Sequence, residues 1–277
     1  MKHEVISWRD QKALKKITES LLTGILDEKL IKYFQHNRPK YFVSDNSSWF
    51  RDAVYDVYGM KMSDPFEYMA QKMRENVNFL RAYHGCKPID FKPYFIKGII
   101  PLIKNSFVQY ALTLLSSSGV TEDDVINGMR EIDTSCREGY AWFILDDRLY
   151  FEGCEHYLIY GSEYLQAIAG RIQTNTGKPA KYCLEKKGTP TIFVCNIPIS
   201  LIDDSDLRSL AGTMIENYFE IIFDGRDNTD GLNFGFPIED TLKPEFIVDH
   251  YHPKEIENQI FGGITYRPEF TKCEYCK

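Results

Sequence analysis

Between Ser7 and Tyr33 the apolar residues Ile17, Leu21, Leu22, Ile25, Leu26, Leu30 and Ile31 recur at three- and four-residue spacing, with lysines and glutamates on the other face. That period predicts amphipathic helix. Gly24 weakens its middle and offers a point to divide it, Asn37-Arg38-Pro39 ends it, and Ser44 to Ser48 supply a polar loop or cap. A second helix is expected around Trp49 to Tyr58. A third starts at Ser63-Asp64-Pro65, with Phe66, Met69, Met73 and Val77 along one side. Residues 1–78 therefore read as a helical N-terminal region, and residues 79–277 as a second domain.

The pattern changes at Phe79. Phe79, Leu80 and Ala82 lead into Tyr83-His84-Gly85, a short buried strand ending at a glycine where a ligand can approach bare backbone. Gly98 stands past the end of a short helix, and Ile99-Ile100-Pro101 resume in extended form. Ser106 to Leu115 reads as a buried helix, and Thr121 as the cap of another, with acidic residues in its first turn. Tyr140 to Leu145 reads as a strand and Leu149-Tyr150-Phe151 as its returning neighbour. Ser162 begins a helix. Thr191 to Pro198 is the clearest strand, Leu207 to Phe219 a helix, Gly225 to Gly235 a loop, and Glu245 heads an apolar strand that turns at His252-Pro253. The fold class expected is α+β.

Composition narrows the field. With 277 residues, 43% of them hydrophobic, the chain can bury a substantial core, which argues against disorder. A net charge of −7 gives no global attraction to nucleic acid or anionic lipid, so any such contact needs a local basic groove. The seven cysteines (86, 136, 154, 183, 195, 273 and 276) are odd in number and scattered, and the opening Met-Lys-His-Glu-Val lacks the apolar core of a secretory signal. A cytoplasmic protein without a membrane span is expected. There is no Walker or Rossmann glycine-rich loop, which disfavours an ordinary NTPase or dehydrogenase. Cys273-Glu274-Tyr275-Cys276 has redox or zinc spacing, but no second pair stands nearby in sequence, and it reads as a frayed tail. His250 and His252 alternate on an extended segment, with no third ligand suggested by spacing. No metal site is expected.

Three separated pieces resemble the ADP-ribosyltransferases of the diphtheria-toxin and poly(ADP-ribose) polymerase type. Tyr83-His84-Gly85-Cys86-Lys87-Pro88, with Lys97-Gly98-Ile99 after it, resembles the toxin's Tyr-His-Gly-Thr-Lys-Pro and its later Lys-Gly-Ile; Cys86 replaces the threonine. Ser162-Glu163-Tyr164 resembles the family's helix start, with Tyr164 as the second of two nicotinamide-facing rings and Trp142, Phe143 or Tyr150 as the first, Tyr150 preferred. Glu245-Phe246-Ile247-Val248 is similar to the strand that carries the catalytic glutamate.

The resemblance spans Phe79 to Glu257 and implies an ADP-ribosyltransferase-like split β-sheet core binding NAD, as substrate, between two small sheets. It implies that His84 contacts the adenosine ribose, that the Gly85 backbone holds the nicotinamide amide, that Tyr150 and Tyr164 clasp the ring, that Ser162 supports the glutamate and that Glu245 stabilises the transition state. Two rings around a cationic pyridinium combine stacking with cation–π attraction, and a fixed carboxylate suits an oxocarbenium-like centre. The activity implied is mono-ADP-ribosyl transfer to a macromolecular acceptor, a protein side chain or a nucleic-acid base. By analogy of fold this suits a toxin held by an antitoxin, or an anti-phage effector. The alternatives are a catalytically silent NAD or ADP-ribose binding module and an NAD glycohydrolase. Glu163 is the rival carboxylate, read more simply as a helix first-turn acid.

Overall fold

The computed structural model describes residues 3–133, 137–225, 231–259, 262–269 and 273–276. Met1, Lys2, Cys136 and residues 226–230 of the expected Gly225–Gly235 loop lie outside them. In chain order the elements are β1 (His3–Ile6), α1 (Gln11–Leu21), α2 (Glu28–His36), α3 (Ser48–Tyr58), α4 (Pro65–Asn76), β2 (Val77–Cys86), α5 (Lys92–Lys97), α6 (Lys104–Leu115) and α7 (Glu122–Arg130). There follow β3 (Ala141–Ile144), α8 (Leu149–Glu152), α9 (His156–Tyr160), α10 (Glu163–Thr176), α11 (Ala180–Lys186), β4 (Thr191–Pro198) and α12 (Asp204–Asp224). The last are β5 (Gly235–Ile238), β6 (Ile247–Tyr251), β7 (Ile256–Asn258) and β8 (Ile264–Tyr266). The class is α+β, and no helix among the described residues is long and apolar enough to cross a membrane.

The chain forms two compact units, Met1–Arg81 with Asn196–Asp230, and Ala82–Cys195 with Gly231–Lys277. In the first, the long helix predicted from Ser7 is divided at Gly24, whose φ of 97° suits only glycine, and α2 restarts on an Asp27 cap. Helix α4 begins with Asp64 as cap and Pro65 in its first turn, as its sequence foretells. The late helix α12 belongs to this unit and packs on α4. Gly212 of α12 lets Ser44 approach so closely that an added Cβ would lie 2.3 Å from the Ser44 carbonyl oxygen. Phe34 and Phe219 meet edge to face at 4.8 Å, and Phe42, Trp49 and Phe50 complete a knot of rings. A strand the helical pattern hides, β1, pairs parallel with the first half of β2.

In the second unit the strands lie in the order β5-β3-β2-β4-β6, and β7 and β8 form a separate hairpin. The pairs β2–β3, β3–β5 and β4–β6 are antiparallel. One expectation is corrected here. Leu149-Tyr150-Phe151 is not a returning strand but the one-turn helix α8, because the fully buried Asp146 accepts from the Arg148 amide at 3.1 Å and turns the chain. The neighbour of β3 is β5 instead.

Candidate functional site

His84 lies near the end of β2, half-buried. Its Nδ1–H donates to the Trp142 carbonyl of β3 at 2.9 Å, and its ring lies 5.6 Å from that of the fully buried Phe143. A carbonyl only accepts, so Nδ1 carries the proton and Nε2 keeps a lone pair. Burial lowers the His84 pKa below its ordinary value, against the pull of the Trp142 carbonyl. The ring is therefore neutral at pH 7, with one acceptor to offer.

Gly85 is required by crowding. An added Cβ would lie 2.3 Å from Cε1 of Tyr150, and the Gly85 amide donates to the Tyr150 hydroxyl at 2.6 Å. That hydroxyl in turn donates to the Tyr83 carbonyl at 3.3 Å. Tyr83, Tyr150, Leu158, Ile159, Ile192 and Val194 form one buried cluster, against which Tyr251 of β6 packs. The Tyr251 hydroxyl donates to Asp147 at 2.7 Å, fastening β6 to the turn that carries Tyr150.

Sequence reasoning gave no role to Lys87, and the structure does. The residue is 4% exposed, and its ammonium, with three protons to give, lies 2.6, 2.9 and 2.7 Å from the carbonyls of Ile159, Leu184 and Glu185 and 2.9 Å from the Tyr266 hydroxyl, which itself donates to the Glu185 carbonyl. Burial pushes its pKa down to about 7, with Glu185 opposing. Lys87 is a pin that ties the residue after the His-Gly-Cys run to α9, α11 and β8. The signal was a lysine inside an otherwise buried strand end. Burial pushes the thiol of its neighbour Cys86 up to about 12, against a hydrogen bond with Tyr94.

Gly98 joins this region to Glu245. With φ 86°, it lies so close to the chain before β6 that an added Cβ would lie 1.9 Å from the Leu242 carbonyl oxygen. Ile99 and Leu242 exchange backbone hydrogen bonds at 2.9 and 3.0 Å. Glu245 follows three residues later in a 3₁₀ turn over Pro244–Phe246 that leads into β6, and it is exposed.

No family model, curated protein or solved structure matches this chain. What the site can do follows from its own atoms.

His84, Gly85 and Tyr150 are brought together; Ser162 and Tyr164 lie elsewhere. Ser162 caps α10 by accepting from the Leu165 amide at 3.4 Å. Tyr164 is 2% exposed in a different core cluster, its ring 5.0 Å from Phe107 and its hydroxyl without a hydrogen-bond partner among the described residues. Of the alternative rings, Phe143 is buried against His84, whereas Trp142 is 46% exposed. Glu163 pairs with Arg137 and lies 3.4 Å from His156 Nε2. Burial would raise its pKa, but Arg137 and Tyr157 bring it below the usual value. It lines a polar cleft of about 800 Å³ together with His156, Gln166, Arg171 and Lys181.

The C-terminal pair is not frayed. Tyr275 stacks on Phe95 of α5 at 4.2 Å, and His250, His252, Cys273 and Cys276 have candidate ligand atoms all within 4.8 Å of one another. Spacing alone could not show this, because the two halves are separated by the β7-β8 hairpin.

Proposed function

We propose that this protein binds NAD at the His84–Gly85 end of β2 and transfers ADP-ribose from it. The observation that carries the reading is the Ile99–Leu242 backbone pair with the close approach at Gly98, which fastens the Lys97-Gly98-Ile99 segment that follows the His84 motif to the chain leading into the Glu245 turn. The neutral His84 ring offers Nε2 to a ribose hydroxyl. The exposed Glu245 carboxylate stabilises positive charge on the ribose as its bond to nicotinamide breaks. The bonding pair leaves with nicotinamide, the acceptor's nucleophile bonds to the same ribose carbon, and its proton passes to a base, Glu245 being the candidate.

For nicotinamide to use the Gly85 amide, the Tyr150 hydroxyl has to release it. Tyr150 then serves first as a stopper and afterwards as a wall of the ring site. Tyr164, sealed in its own core, supports α10 from behind. A protein side chain or a nucleic-acid base is the acceptor class proposed, and a toxin or anti-phage role with an antitoxin partner fits such chemistry.

A second reading, a silent module that holds NAD or ADP-ribose, is favoured by one observation: Glu245 is exposed ahead of β6, with β4 between β6 and β2. Incubating the chain with labelled NAD and cell lysate, then digesting with nuclease or protease, separates the two. Transfer by the wild type and none by Glu245→Gln, with NAD still bound, supports the enzyme. Binding without transfer by the wild type supports the module, and full transfer by Glu245→Gln removes Glu245 from the mechanism.

A further inference from the structure

We infer that His250, His252, Cys273 and Cys276 form a structural zinc site that clamps the C-terminal segment onto β6. His250 and His252, two residues apart in extended chain, present their rings on one side of the strand, with centroids 5.2 Å apart. The Cys-x-x-Cys turn comes to them from the other end of the unit. His250 Nε2 lies 3.3 Å from Cys273 Sγ and 3.5 Å from Cys276 Sγ.

A tetrahedral zinc ion with bonds of about 2.3 Å to sulfur and about 2.0–2.1 Å to nitrogen sets its ligand atoms roughly 3.3–3.8 Å apart. The two separations from His250 Nε2, 3.3 and 3.5 Å, match that tetrahedron, and the four candidate ligand atoms, all within 4.8 Å of one another, need draw in by only about 1 Å at most to complete it.

The second ring supplies independent support. His252 Nδ1 lies 3.2 Å from the Pro190 carbonyl, to which it donates, and 3.1 Å from the Thr191 hydroxyl. This fixes the proton on Nδ1 and leaves the lone pair on Nε2. That Nε2 is buried and meets no hydrogen-bond partner among the described residues. A buried polar atom in that state is costly unless something binds it, and an imidazole whose other nitrogen donates to a backbone carbonyl is the usual form of a zinc ligand.

Two thiolates and two imidazoles are a donor set for zinc rather than for magnesium or calcium, which take oxygen. On binding, two Zn–S and two Zn–N bonds form, the two thiol protons pass to solvent, and the centre becomes neutral. Four protein ligands leave no open position, so the site is structural. Phe91 against His252 at 5.1 Å, and Phe95 between His250 at 5.2 Å and Tyr275, make α5 its floor. The inference stands whether or not NAD is the ligand of His84.

The test is metal analysis of the full chain, purified without a metal-affinity step, beside Cys273→Ser/Cys276→Ser and His252→Cys. One zinc per chain is expected in the wild type and in His252→Cys, which keeps four ligands, with at least a tenfold loss in the double serine variant. Cobalt exchanged into the wild type reads the geometry without any variant, and intense visible absorption of tetrahedral, thiolate-bound cobalt is expected. A wild-type chain without zinc that also gives no such cobalt spectrum, or an intact mass two hydrogens short from a Cys273–Cys276 disulfide, overturns the site. So does a zinc content unchanged in the double serine variant.

Discussion

The second unit holds two histidine clusters, one at the end of β2 and one at the end of β6, and they differ in what surrounds the same side chain. In both, burial lowers the histidine pKa, and in both a ring nitrogen donates to a backbone carbonyl, Trp142 for His84 and Pro190 for His252. Around His84 the neighbours are a glycine amide, a tyrosine hydroxyl and a pinned lysine. Around His250 and His252 they are two thiols. A tautomer fixed by a carbonyl thus makes an acceptor in either place, and the different neighbours are why a ribose hydroxyl is proposed for the first and a metal ion for the second.

The comparison is broken most forcefully at Lys87. Lys87→Met removes the lysine donor from the carbonyls of Ile159, Leu184 and Glu185, of which Glu185 keeps the Tyr266 hydroxyl, and a loss of about 3 kcal/mol in urea unfolding is expected, with zinc content per folded chain unchanged. Gly98→Ala comes next. Both its positive φ and the Leu242 carbonyl oppose a side chain, so about 3 kcal/mol is expected, together with loss of NAD binding. A stability within about 0.5 kcal/mol of wild type contradicts the tight approach.

Chelation sharpens the contrast from the other side. Removing zinc lowers the melting temperature by roughly 5 °C while the His84 ring resonances stay where they are. A shift of those resonances as large as that of His250 means the clusters are one site. Smaller still is Tyr150→Phe, which frees the Gly85 amide from a bond worth about 1 kcal/mol and so tightens NAD binding about fivefold by calorimetry. Weaker binding in that variant places the hydroxyl among the ligand's own contacts.

The smallest effect is with pH. Because the folded His84 pKa lies below the unfolded value of 6.5, the unfolded chain binds more protons in that range. The stability His84 contributes is complete above pH 6.5 and is lost as pH falls through the folded value. Stability curves of His84→Gln should lack that part of the acid slope.

Much of this was legible in the sequence because local rules agreed with one another. Asp64-Pro65 announced α4, Gly24 divided the first helix, and the Thr191–Pro198 run is β4. Leu149 to Phe151 misled because a β-prone run was overruled by one buried aspartate, Asp146, three residues before it. Strand β1 stayed hidden since four residues are too few to show a period against a strong helical neighbour. Lys87 and the paired histidines and cysteines are plain in the sequence, but their meaning lies in contacts made across long stretches of chain. Spacing reports neighbours along the chain, and both sites are built from neighbours in space.

His84 and Glu245 are proposed to serve one NAD site, and calorimetric titration of NAD into the wild type, His84→Ala and Glu245→Gln, paired with the transfer assay, is the decisive test. Binding about tenfold weaker is expected in His84→Ala, a loss of about 1.4 kcal/mol. Wild-type binding without transfer is expected in Glu245→Gln. NAD affinity unchanged in His84→Ala, or transfer persisting in Glu245→Gln, contradicts it.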